Sequence, residues 1–94
     1  MEIIYRIQYH PLIPKDTKRM SVEYKKRIEE AIEKKLKTRP ETYAIPLRKF
    51  LKGFWKLRVG DYRIVFQIKE QKKKIFVLTI QHRSIVYGIA EKRM

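Results

Sequence analysis

The chain has 94 residues, 44% of them hydrophobic and 12% aromatic, which suffices for the core of one domain spanning residues 1–94 and excludes an intrinsically disordered protein. It has no cysteine and no apolar run near the roughly 18 residues that a membrane-spanning helix needs, so we expect neither disulfides nor transmembrane helices, and a cytoplasmic location. Lys and Arg number 24 against 10 Asp and Glu, and this net charge of +14 predicts a polyanionic partner, either nucleic acid or an acidic protein.

The N-terminal half of the chain predicts one strand, a loop or short helical turn between Pro11 and Met20, and one long helix. Over residues 2–9 apolar and polar side chains alternate, which is typical of a half-buried strand. Ser21 is suited to cap a helix that runs to about Lys37, because the next hydrophobic residues recur at helical spacing. These residues are Tyr24, Ile28, Ala31, Ile32 and Leu36. A basic connector, residues 41–53, follows the helix, and we expect it to be anchored by Leu47, Phe50 and Leu51.

The C-terminal half predicts three strands and a short helix. Two alternating runs flank Gly60-Asp61, a dipeptide typical of a tight two-residue hairpin turn. The third run, Lys74–Gln81, is apolar on both faces, so we place it in the centre of the sheet. Ser84 is suited to cap a last helix. The order β-α-α-β-β-β-α predicts an α+β fold of two layers, in which a mainly antiparallel four-stranded sheet has its helices packed on one face.

Counting outward from the hairpin turn places three basic side chains together. The facing pairs are Val59 and Tyr62, Arg58 and Arg63, Leu57 and Ile64, and Lys56 and Val65. The more hydrophobic side, which includes Trp55, is expected to face the core, and Lys56, Arg58 and Arg63 then form a cluster on the exposed face. Like charges directly opposite one another destabilise a strand pair by up to ~1 kcal/mol. The cluster therefore predicts an anion site, the alternative being that the long side chains simply diverge into solvent.

A second group of candidate functional residues follows the third predicted strand. His82 and Arg83 come directly after it, and Tyr87 lies one helical turn later. His is the side chain that exchanges protons near neutral pH, and next to a basic face these three residues become candidates for a catalytic group. The sequence has no Gly-rich phosphate loop, no His/Cys metal cluster and no Ser-His-Asp signature. We therefore expect no metal and no cofactor.

The block LKGFWKLRVGDYRIVFQI, followed by an apolar strand and then HRSIVY, resembles the toxins of the RelE/ParE superfamily, which belong to bacterial and archaeal type II toxin–antitoxin systems. The element order is similar over essentially the whole chain, and the resemblance is closer to the RelE branch. It implies a toxin that cuts mRNA in the ribosomal A site. The implied catalytic residues are Lys56, Arg58, Arg63, Arg83 and Tyr87, with His82 at the position of a catalytic His in some relatives.

The resemblance also implies a chemistry and a set of partners. The RNA 2′-hydroxyl would attack the adjacent phosphate without a metal, with Lys56 or His82 as base and Tyr87 or His82 as acid. In the basic connector, we expect RNA contacts from Arg48, Lys49 and Lys52. The implied partners are the ribosome with its mRNA and an acidic antitoxin that forms a hetero-oligomer with the toxin. The alternatives are a non-enzymatic inhibitor of DNA gyrase, as in the ParE-like branch, and a plain RNA-binding module.

Overall fold

A computed structural model describes residues 3–94 of the chain. Its strands are β1 Arg6–Tyr9, β2 Ile45–Pro46, β3 Trp55–Val59, β4 Tyr62–Lys69 and β5 Lys74–His82. Its α-helices are α1 Ile13–Thr17, α2 Val22–Ala31, α3 Pro40–Tyr43 and α4 Val86–Arg93. Helix α2 continues into a π-helical segment, Ile32–Leu36. Two 3₁₀ turns, Lys49–Leu51 and Glu70–Lys72, complete the elements. Within residues 3–94, no helix combines the length and the hydropathy that crossing a membrane requires.

The five strands form one sheet in the order β1-β5-β4-β3-β2. Strand β1 runs parallel to β5, and the other neighbouring strands are antiparallel. The predicted class, an α+β fold around a mainly antiparallel sheet, is confirmed. Strand β1 is shorter than the alternating pattern over residues 2–9, of which Glu2 lies outside the described residues.

The sheet has five strands, whereas the sequence predicts four. The additional strand is β2, whose two residues pair with Lys56 and Trp55 at the edge of the sheet. Two residues are too few to show an alternating pattern. One of them is Pro46, and proline is confined to edge strands because it cannot donate a hydrogen bond to a neighbour. These two properties explain why the basic connector does not look like a strand in the sequence.

The main core lies between one face of the sheet and the helices α1 and α2. Its most deeply buried side chains are Leu36, Ile64, Phe66, Ile75 and Val77. Trp55 packs against this core, as the sequence predicts. The predicted cap of α2 is also present, because Ser21 Oγ accepts a hydrogen bond from the backbone N–H of Tyr24 at 3.2 Å.

Helix α4 packs on the other face of the sheet, which differs from the predicted arrangement with the helices on one face. There it forms a second core, whose buried members are Leu51, Val65, Leu78, Val86 and Ala90. The physical reason lies in β5, because a strand that is apolar on both faces requires a covering layer on each side. The sequence shows this property in the run Lys74–Gln81.

A β-bulge in β5 supplies one residue of the second core. Val65 of β4 pairs with Thr79, but the next residue, Phe66, pairs with Val77, so that Leu78 has no partner on β4. An extra residue reverses the alternation of a strand. Consequently Val77 and Ile80, three residues apart, both face the main core, whereas Leu78 faces α4.

The hairpin of β3 and β4 has the predicted register, with Arg58 opposite Arg63. In its turn, Gly60 has φ +58°, and a Cβ at this position would lie 2.6 Å from the hydroxyl oxygen of Tyr24. Glycine suits this left-handed backbone, and a larger residue would have to displace the tip of the Tyr24 side chain. The N–H of Asp61 donates to the same hydroxyl at 3.4 Å, which fixes the turn against the helix.

Candidate functional site

Lys56 and Tyr87 meet on the face of the sheet that α4 covers. The Lys56 Nζ lies 5.6 Å from the centre of the Tyr87 ring, and both side chains are half-buried. The Tyr87 ring packs against the second core, so the docking of α4 on the sheet determines where the ring lies. The fold thus holds a lysine amine beside the ring of a tyrosine at the surface.

Arg58 and Arg63 face each other across β3 and β4, on the same side as Lys56. Arg63 is half-buried, and its Nη1 donates hydrogen bonds to the carbonyl oxygens of Gly60 at 2.9 Å and Tyr62 at 3.0 Å. Arg58 is exposed. The two arginines therefore differ: one guanidinium is fixed at the hairpin turn, and the other lies in solvent.

Arg83 lies at the tip of the same hairpin. Its backbone N–H donates to the carbonyl oxygen of Asp61 at 2.8 Å, and its side chain is exposed. This hydrogen bond brings Arg83 to the end of the hairpin that bears Arg58 and Arg63.

His82 lies on the opposite face of the sheet from Lys56. It pairs with Tyr62, which packs on the main core, and the two rings meet edge to face at 5.9 Å. The imidazole Nδ1 accepts a hydrogen bond from the Ser84 N–H at 3.2 Å, which assigns the proton of the neutral ring to Nε2. The structure therefore does not bring His82 together with Lys56. His82 and Arg83 are adjacent in sequence, but β5 ends at His82 and Arg83 lies in the turn that follows.

The three basic residues of the connector, Arg48, Lys49 and Lys52, are exposed around the 3₁₀ turn Lys49–Leu51. Leu51 of this turn is buried in the second core beneath α4. The basic residues thus border α4 on the same side of the sheet as Lys56. From residue 42 to residue 60 the sequence contains five Lys or Arg and no Asp or Glu. Within residues 3–94 no three His, Cys, Asp or Glu side chains are grouped as metal ligands would be.

Two features of this side of the molecule are not predicted by the sequence. Phe50, expected to anchor the connector, is 78% exposed. Arg93, at the end of α4, forms a bidentate ion pair with Asp16 of α1 at 2.6 and 2.7 Å. The partners of this ion pair are 77 residues apart, so no local sequence pattern connects them.

Comparison with solved structures shows the fold. The chain is similar to the toxin–antitoxin complex RelBE2 from Mycobacterium tuberculosis, with a TM-score of 0.80, 22% identity and coverage of 86% of this chain and 100% of that one. For an arginine double mutant of the E. coli toxin RelE in the free state, the TM-score is 0.64, with 24% identity over 97% and 98% of the two chains. For the RelE–RelB complex from the archaeon Pyrococcus horikoshii, the TM-score is 0.65, with 22% identity and coverage of 85% of this chain and 96% of that one.

Comparison of sequences shows the family. No curated protein matches the chain. Residues 3–87, however, match the family described as the ParE toxin of type II toxin–antitoxin systems, and this match covers most of the chain. By this match the chain belongs to the ParE toxin family, within the RelE/ParE superfamily of type II toxin–antitoxin systems.

Proposed function

We propose that this toxin is a metal-independent endoribonuclease that cleaves mRNA in the ribosomal A site and thereby inhibits translation. The observation that supports the proposal is the contact between Lys56 and Tyr87, with 5.6 Å from the amine to the ring centre. A surface that only binds a polyanion needs cations alone. A phenol held next to an amine adds a proton donor to a basic surface, and proton transfer is what phosphodiester cleavage requires.

The proposed reaction is a transesterification within the RNA. The 2′-oxygen attacks the adjacent phosphorus as its proton is removed, the bond to the 5′-oxygen breaks, and that oxygen takes up a proton. The products are a 2′,3′-cyclic phosphate and a 5′-hydroxyl. Tyr87 is suited to protonate the leaving oxygen, and Lys56 in its uncharged form to receive the 2′-hydroxyl proton. His82 has no role in this scheme, because it lies on the other face of the sheet.

The arginines serve a different purpose in the proposed reaction. The phosphorane carries one more negative charge than the phosphodiester, and electrostatic stabilisation of such a charge is usually the largest contribution to catalysis. Arg58, Arg63 and Arg83 gather at one end of the hairpin, and guanidinium groups bind phosphate oxygens in bidentate fashion. We assign these three residues to phosphate binding.

Replacing Tyr87 with Phe tests the catalytic assignment, because it removes the hydroxyl and keeps the ring on the second core. The expected result is a fall in the rate of mRNA cleavage of about 10²- to 10⁴-fold, the usual contribution of one acid–base group, with an unchanged melting temperature. Primer extension on translated mRNA measures the rate. Tyr43→Phe is a matched control, because Tyr43 also has a lysine, Lys35, at 5.4 Å from its ring centre. Undiminished cleavage by Tyr87→Phe would contradict the proposal.

The second candidate is a non-enzymatic inhibitor of DNA gyrase, which the match to the ParE toxin family favours. A gyrase inhibitor would block supercoiling of relaxed plasmid and leave translated mRNA intact. The nuclease proposal expects the reverse result from the same purified toxin, and the two assays together separate the candidates.

We also propose an antitoxin as the partner of this toxin in the cytoplasm. Two similar proteins, from M. tuberculosis and P. horikoshii, were solved as complexes with their antitoxins. A toxin with a charge of +14 would attract an acidic antitoxin over long range. Titration with the antitoxin should therefore restore translation at about one equivalent.

A further inference from the structure

Phe50 is an exposed aromatic residue on the α4 side of the molecule. It is 78% exposed, whereas the next residue, Leu51, is 5% exposed and lies in the second core. Single apolar residues at the surface are common, so exposure alone indicates nothing. Three further observations indicate that the exposed ring has a function: the backbone conformation, the neighbouring charges and the location of Phe50.

The backbone before Phe50 is strained. Lys49 has φ +56°, a left-handed conformation that is unfavourable for a residue with a Cβ. The 3₁₀ turn Lys49–Leu51 begins at this residue, and it turns Leu51 into the core and Phe50 outward. Strained residues of this kind cluster at functional sites.

The charged residues nearest to Phe50 in the sequence are all positive. Arg48 and Lys49 precede it, Lys52 follows it, and the segment from residue 42 to residue 60 has no acidic residue. The basic connector, residues 41–53, is also close to the candidate site. Its strand β2 places Ile45, which is 59% exposed, directly opposite Lys56, and Leu51 packs beneath the helix that carries Tyr87.

We propose that Phe50 stacks on a base of single-stranded RNA, while Arg48, Lys49 and Lys52 bind the flanking phosphates. An exposed aromatic ring among cations is the usual arrangement in proteins that bind single-stranded nucleic acid, because every base has a flat face and every link a negative charge. The placement of this subsite next to Lys56 rests on the proposed function. A protein partner is the other possible occupant, but its apolar contact would accept any apolar side chain, whereas stacking requires a ring.

The test compares Phe50→Leu, which keeps an apolar surface, with Phe50→Trp, which keeps a ring. The probe is a short fluorescent single-stranded oligoadenylate, and its affinity is measured by fluorescence anisotropy without ribosomes. We expect Phe50→Leu to weaken binding roughly fivefold to a hundredfold and Phe50→Trp to bind at least as tightly as the wild type. Val22→Ala, at a residue 80% exposed on α2, is the control and should have no effect.

Equal affinities of the wild type and both variants would overturn the proposal and leave Phe50 as an apolar contact for a protein. Since the assay does not depend on cleavage, it distinguishes the two hypotheses. If the wild-type toxin does not cut mRNA but Phe50→Leu weakens its RNA binding, the nuclease proposal is refuted and the stacking subsite is supported. Loss of affinity in Phe50→Trp equal to that in Phe50→Leu would also overturn the proposal, because the ring would then be irrelevant.

Discussion

At the scale of single residues, Arg58 and Arg63 occupy facing positions but are held differently. Arg63 donates two hydrogen bonds to carbonyl oxygens of the hairpin turn, and Arg58 is exposed. Arg58→Ala should therefore change the free energy of unfolding by no more than about 0.5 kcal/mol. Arg63→Ala should cost about 1 kcal/mol, which for a chain of this size lowers the melting temperature by roughly 4–8 °C. Calorimetry measures the difference.

Both substitutions should abolish mRNA cleavage if both guanidinium groups bind the phosphate. Arg63→Lys keeps the charge but loses the bidentate geometry, so it should recover little activity. Equal stabilities of Arg58→Ala and Arg63→Ala would show that the hydrogen bonds to the turn contribute nothing in solution. Full cleavage activity of either variant would remove that arginine from the site.

The clustering of Lys56, Arg58 and Arg63 is predictable because the turn at Gly60 fixes the register of the hairpin, and the register determines each face. The contact of Lys56 with Tyr87 is not predictable in this way, since it depends on which face of the sheet α4 covers. The exposure of Phe50 is not predictable from the sequence either. Phe50 and Leu51 are adjacent hydrophobic residues, and the strained backbone at Lys49 determines which of them is buried.

At the scale of elements, an ion pair between α1 and α4 closes the edge of β5. Asp16 Oδ2 accepts a hydrogen bond from the Ile80 N–H at 3.0 Å, and Arg93 Nη1 donates to the Leu78 carbonyl at 3.1 Å. The pairing of β1 with β5 ends at Val77, just before these groups. The ion pair thus binds backbone groups that a longer β1 would have bound, and it joins the helices on the two faces of the sheet.

Removing one partner of this ion pair should be costly. The Asp16 side chain is 2% exposed, so Arg93→Ala leaves a buried charge uncompensated and should destabilise the protein by about 3–5 kcal/mol. Arg93→Ala combined with Asp16→Asn should recover part of the loss, because the buried charge is gone and the amide oxygen still accepts from Ile80. Urea unfolding of the single and double variants gives the coupling energy.

The pair of Lys37 and Glu33 provides the matched control for this experiment. Its atoms are 2.8 Å apart, but the side chains are 33% and 62% exposed. Lys37→Ala should therefore cost only about 0.3–0.5 kcal/mol. A cost below about 1 kcal/mol for Arg93→Ala would contradict the buried ion pair at Asp16.

The sheet shows which elements local patterns can predict. The hairpin and β5 follow from alternation and turn chemistry, which act over a few residues. The parallel pairing of β1 with β5 joins residues such as Arg6 and Lys74, far apart in the chain, and depends on the whole fold. The covering of the second face of β5 is only partly predictable. Its apolar residues indicate that a layer covers this face, but not that the layer is α4.

At the scale of the whole molecule, most of the positive charge has no acidic neighbour. The ion pairs within residues 3–94 join Lys37 to Glu33 and Arg93 to Asp16, and they engage two of the 24 basic residues. The remaining charge creates a field that attracts any polyanion. The question at this scale is therefore whether binding of RNA reflects the total charge or the cations around Lys56 and Phe50.

The salt dependence of RNA binding separates these two possibilities. The logarithm of affinity falls linearly with the logarithm of salt concentration, with a slope that changes by about 0.7 for each phosphate contact to a single strand. Arg48→Gln and Lys52→Gln should each reduce the steepness of the slope by about that amount for oligoadenylate. Lys26→Gln should leave it unchanged, because Lys26 is exposed on α2, across the sheet from Lys56. All three variants lower the net charge by one, so equal slopes would show that total charge governs binding and that the α4 side holds no specific site.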